Sequence, residues 1–174
     1  ITITIHLLLA LIIIGLIIYS AIQAYYAIAG NFESKSSYHP HTKPVILGIL
    51  VCVFIEIIIG TEIRGGLDMS RKENPLIEGV ILLKMLGPFK YMHTILGFSL
   101  LGLTIYLWKI VNDIKFTSSS FMVNSVNFIM GLIITQIILG ESLVFLEVKP
   151  LMQLFHMWFS SLLVGLSVAS FTFY

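Results

Sequence analysis

The chain has 174 residues, 57% of them hydrophobic and 11% charged, with a net charge of +1 and a mean hydropathy of +0.99. A surface that apolar does not dissolve in water, so the composition excludes an ordinary soluble domain and points to an integral membrane protein. The scattered Lys and Arg form no basic stripe, which removes nucleic acid as a partner, and the single cysteine, Cys52, excludes a disulfide framework or a cysteine metal site.

Apolar runs near the ~20 residues that a bilayer requires predict five spans, at residues 3–29, 44–63, 89–111, 121–139 and 152–173. All are expected to be helical, because an open strand edge leaves backbone groups unpaired in lipid. The first span starts at once from Ile1, without the basic lead or small-residue cleavage site of a signal peptide, and the chain is therefore expected to be part of something longer.

Residues 31–43 (NFESKSSYHPHTK) form a polar loop closed by Pro40 and Pro44, and residues 112–120 (NDIKFTSSS) form a short polar turn on the same side. The other side carries the Pro150 turn and the longest connection, residues 64–88. That connection begins RGGLDMSRKENP and continues as LIEGVILLKMLG, apolar with isolated Glu78 and Lys84. Its second half is too short to span and is expected to lie in the interface as an amphipathic helix.

Two repeats run through the spans. His6, His93 and His156 each have a small residue four positions on (Ala10, Gly97, Ser160) and a Gly-Leu pair nine and ten positions on (Gly15-Leu16, Gly102-Leu103, Gly165-Leu166). Span two ends in Glu56-Ile57-Ile58-Ile59-Gly60 and span four in Gln136-Ile137-Ile138-Leu139-Gly140. A helix ending [E/Q]-I-I-x-G is thus followed by a helix opening on the histidine frame, twice; span one has the histidine frame with no partner before it.

Spans one, three and five run parallel, so their histidines lie at similar depth in the same half of the membrane. Histidine inside a bilayer is unfavourable unless something uses it, and two such helices facing each other could offer imidazoles to opposite sides of one iron. Haem is the leading candidate. A residue four positions on lies on nearly the same face, about 6 Å deeper, where Gly97 and Ser160 leave room for a flat macrocycle. Gly102 and Gly165 point the opposite way and read as helix-packing positions.

The plainer alternatives are that a membrane histidine only hydrogen-bonds a neighbour, that His39 and His41 are solvated loop residues, and that Met69, Met85, Met92, Met152 and Met157 are packing residues. Glu56 is ionisable about two turns inside the membrane edge, which favours a functional or paired role. Arg64, one turn beyond Gly60, either pairs with a haem propionate at that surface or snorkels as an anchor.

These residues resemble the haem A synthase family. EIIIGTEIRGGLD (56–68) looks like the element closing the first helix of that family's C-terminal half, YMHTILG around His93 and KPLMQLFHMW around His156 resemble its two haem-ligating helices, and QIILG (136–140) the helix between them. Span one, IHLLLALIIIGLIIY, is similar to the last helix of the N-terminal half. The resemblance implies two pseudo-symmetric four-helix bundles that convert haem O to haem A, oxidising a ring methyl to a formyl group for terminal oxidases. Residues 1–30 would be the last helix of an N-terminal bundle, 31–43 the inter-bundle loop and 44–174 the C-terminal bundle.

Carried over residue by residue, haem b would map to His93 and His156, with Arg64, Gly97 and Ser160 beside it, and the substrate haem iron to His6. The catalytic glutamate and the other substrate-site histidine are expected upstream of Ile1, so catalysis by this stretch alone is doubtful. The implied partners are haem O, membrane lipid, an electron donor or acceptor, and haem O synthase or oxidase assembly proteins, in a bacterial cytoplasmic membrane or its equivalent. Six Lys and Arg on the histidine side against four opposite point that side to the cytoplasm; the resemblance places it outside, and is followed here. The alternatives are a non-enzymatic membrane cytochrome b and a structural subunit whose histidines only hydrogen-bond.

Overall fold

The computed structural model describes residues 2–29, 39–74, 76–77, 81, 86–113, 116, 118–145 and 149–174. These residues form five helices, α1 (Thr2–Ala29), α2 (Thr42–Glu73), α3 (Phe89–Val111), α4 (Ser120–Phe145) and α5 (Pro150–Phe173). Each of the five is long and apolar enough to cross a membrane, and no strand occurs among the described residues. The protein is an all-helical membrane protein.

Helix α3 covers the range its apolar run predicts, whereas α2 and α4 run on beyond the predicted ends, from Ile63 to Glu73 and from Leu139 to Phe145. Hydropathy locates only the part of a helix that lies in lipid, and backbone bonding continues into the interface. At a rise of ~1.5 Å per residue α2 is roughly 48 Å long, more than the ~30 Å hydrocarbon layer. Its polar end is held by Leu67, which is buried against Ile63, Ile77, Leu86 and Leu143. Gly66 allows this close approach, because a Cβ there would lie 2.5 Å from a Leu86 methyl. Arg71 and Lys72 occupy the last turn, where cations complement the exposed carbonyls.

Helices α2, α3, α4 and α5 pack in a ring, each against the next and α5 back against α2. Their core positions recur at helical spacing: Ile46, Ile49, Val53 and Ile57 on α2, Met122, Val126, Ile129 and Ile133 on α4, with Leu100 and Leu107 of α3 and Leu163 and Val164 of α5. Buried Ser125 and Ser167 have small side chains of the kind that let helix backbones come close. Helix α1 lies outside the ring, against α5 and more lightly against α2. Gly165 is part of that contact, since a Cβ on it would sit 3.2 Å from Ile18 Cδ1. Gly102 differs from the expectation that it packs a neighbour: nothing lies within 4 Å of its Cβ position.

At the end away from the histidine-bearing helix starts, His41 Nδ1 is 2.9 Å from the Tyr106 hydroxyl, and the Lys43 ammonium lies 5.1 Å from the Phe171 ring centre. Most of the 31–43 loop, much of the expected interfacial helix after Asn74 and part of 112–120 fall outside the described residues.

Candidate functional site

Residues four apart share a helix face, and this puts Glu56 above Gly60 on α2 and Gln136 above Gly140 on α4. Each pair straddles one histidine of the following helix. Gly60 faces His93, whose Cε1 would be 3.4 Å from a Cβ at that position, and the Glu56 carboxylate pairs with His93 Nδ1. Gly140 faces His156 in the same way, with Cε1 at 3.6 Å. The two sequence repeats are therefore the two sides of one packing unit, used once between α2 and α3 and once between α4 and α5.

The polar residue differs between the units. On α2 a carboxylate meets the imidazole. On α4 the Gln136 amide donates to the His156 carbonyl oxygen (2.7 Å) and to the Ser160 hydroxyl (2.8 Å), and Ser160 itself donates to that same carbonyl (2.9 Å). Gln136 Oε1 and His156 Nδ1 are both buried without a hydrogen-bond partner.

The ring brings His93 and His156 together. Their ring centres are 6.2 Å apart and their planes 64° from parallel. A cavity runs between them, walled by Glu56, Gly97, Gln136 and Ser160, reaching Arg64 and Lys90 toward the helix ends and Leu7 and Leu11 of α1 at the side. Gly97 faces α2, its Cβ position 3.6 Å from Glu56 Oε1, so it makes space for the carboxylate as well as for the cavity. Arg64 Nη1 is 2.6 Å from Met157 Sδ, and among the described residues the guanidinium makes no ion pair. His6 is exposed on α1 and is not part of the cavity wall, although its neighbour Leu7 is. Thr4 ties the start of α1 to α2 through a 3.1 Å bond to Glu62.

Among the described residues no group of three or more His, Cys, Asp or Glu could hold a bare metal ion. Two imidazoles are, however, the complete protein contribution to a six-coordinate haem iron, whose other four nitrogens come from the macrocycle. The pair fits that requirement. With metal–nitrogen bonds of about 2 Å, two imidazoles that held one iron between them would have their ring centres roughly 6 Å apart, close to the 6.2 Å separation of these rings. The Glu56 contact occupies Nδ1 of His93 and leaves Nε2 as the nitrogen able to ligate. His156 Nδ1 has no such contact among the described residues, so nothing there selects between that ring's two nitrogens.

The [E/Q]-I-I-x-G element carried the signal that the histidine frame has a contact partner, but its spacing did not show which face of α2 meets α3. The hydrogen bonds of Gln136 to the histidine turn had no sequence signal beyond the repeat itself. That Arg64 and Lys90 both border the cavity was likewise hidden, since they come from different helices.

Comparison with curated proteins and with solved structures gave no match. The model of COX15-CtaA, the cytochrome oxidase assembly protein family, matches residues 1–168, and the chain belongs to this family, that of the haem A synthases.

Proposed function

We propose that this chain carries the haem b bundle of a haem A synthase, the enzyme that oxidises a ring methyl of haem O to a formyl group for cytochrome oxidase. The observation that carries the proposal is the facing pair His93 and His156, each seated on a glycine of the preceding helix. Residues 44–174 form the haem b unit, residues 1–30 belong to a neighbouring bundle and 31–43 link the two. A haem bound between the two imidazoles would supply a redox-active iron for moving single electrons.

The protein groups have separate tasks. His93 and His156 hold the iron, and Gly60 and Gly140 keep their rings in place. Gly97 and Ser160 shape the deeper wall. Arg64 neutralises a propionate at the membrane edge, where a planar guanidinium can meet a carboxylate with two bonds. The apolar core of the ring keeps water from the site. His6, exposed on α1 outside this cavity, serves the substrate haem in the neighbouring bundle. Haem O and membrane lipid are then the immediate partners, with an electron donor or acceptor and oxidase assembly proteins beyond them, in a bacterial cytoplasmic membrane or its equivalent.

The test is a visible spectrum of the purified protein with extraction of its pigment. Wild-type protein should show a low-spin haem b, and His93→Ala and His156→Ala should each lose it while still inserting into the membrane. An unchanged spectrum in both variants would remove the assignment.

A further inference from the structure

The two halves of the site are alike in backbone and unlike in charge. The α2 element begins with a carboxylate and the α4 element with an amide, at matching positions one turn before the glycine that seats the histidine. Glu56 is only 12% exposed, both of its oxygens and His93 Nδ1 are buried, and apart from the contact they make with each other none of the three has a hydrogen-bond partner among the described residues. Among the described residues no lysine or arginine pairs with this carboxylate. A buried carboxylate needs a polar partner, and among the described residues the His93 ring is the one placed against it.

We infer that Glu56 is a positioning residue for the haem iron: its carboxylate accepts the Nδ1–H of His93, fixes the tautomer that presents Nε2, and makes His93 the stronger electron donor of the two axial ligands. The inference rests on the proposed haem site and adds an asymmetry to it. A carboxylate hydrogen-bonded to a ligating imidazole raises the basicity of the ligand and favours the more highly charged iron. An amide does so much less. At His156 the Gln136 NH2 group is spent on the His156 carbonyl and on Ser160, so this side chain braces the helix turn. Glu56 therefore lowers the midpoint potential of the haem through one ligand only. Gly97 lies beside the same carboxylate, its Cβ position 3.6 Å from Glu56 Oε1, so a methyl there would touch the carboxylate and a larger side chain would compete with it for the cavity.

The test compares wild-type protein and Glu56→Gln, both loaded with iron protoporphyrin IX, by redox titration and by the electron paramagnetic resonance of the ferric form. The Gln side chain keeps the shape and removes the charge. The expected result is a shift of the midpoint to higher potential, a changed low-spin ferric signal, and haem retention weakened by roughly ten- to a hundredfold. An unchanged potential and signal would overturn the inference. Should Glu56→Gln hold no haem, the comparison moves to His93→Gly filled with imidazole or with 1-methylimidazole, of which only the first can donate to Glu56. The imidazole form should then have the lower potential, by a wider margin than the same two ligands give in His156→Gly, and equal margins would overturn the inference. A wild-type protein that takes up no low-spin haem would remove the site itself, and this inference with it.

Discussion

His93 and His156 are the two side chains that most need a reason to lie inside a membrane. Each is only partly exposed on a helix long and apolar enough to cross a membrane, and among the described residues His156 Nδ1 has no hydrogen-bond partner while His93 Nδ1 has only its contact with Glu56. A shared iron, as proposed above, would supply that reason and would give Arg64 a role as well. The guanidinium lies on the cavity wall with a thioether as its neighbour, a weak acceptor that leaves most of its charge unanswered. Arg64→Gln should weaken haem retention or shift the midpoint potential, and Arg64→Lys should restore it only in part, because a point charge cannot form the two parallel bonds of a guanidinium. Redox titration of the three proteins checks this; identical potentials and haem contents would reduce Arg64 to a membrane anchor.

The contact between α2 and α3 depends on what is missing at Gly60. His93 Cε1 lies 3.4 Å from the place a Cβ would take, so a methyl would only just fit and a branched side chain would push the ring away. Gly60→Val should therefore empty the site of haem while leaving helix content and membrane insertion unchanged. Circular dichroism and the visible spectrum measured on one preparation separate the two effects. The matching change on the other unit, Gly140→Val, should act on His156 in the same manner, since its ring stands at 3.6 Å. A variant that keeps full haem occupancy would show that the glycines do not set the ring positions.

In the molecule as a whole, the described residues of α2 to α5 line a cavity that holds both histidines, and α1 contributes the apolar Leu7 and Leu11 to its wall. His6 lies apart from this pair. His6→Ala should accordingly spare the haem held by His93 and His156 and, in the full membrane enzyme, block formation of haem A; pigment extraction reads both. Loss of the His93–His156 haem instead would contradict the two-site arrangement.

The five spans were legible because bilayer thickness imposes a length on apolar runs, and α3 matches its run from Phe89 to Val111. The continuation of α2 through Arg64, Gly65 and Gly66 was not, because two glycines are poor helix formers and the segment is polar. Burial of Leu67 against Leu86 and Leu143 outweighs that preference. The histidine pair was legible from the repeated frame, whereas the Glu56 contact depends on how α2 is rotated against α3, which a single helix's pattern does not fix.

Near-infrared magnetic circular dichroism of the oxidised, purified protein tests the central claim most directly, because it distinguishes which pair of side chains ligates a low-spin iron. Two histidine ligands, with the signal lost in both His93→Ala and His156→Ala, is the predicted result. A methionine–histidine signature, for which Met157 is placed on the cavity wall, or a high-spin iron with one histidine would contradict it.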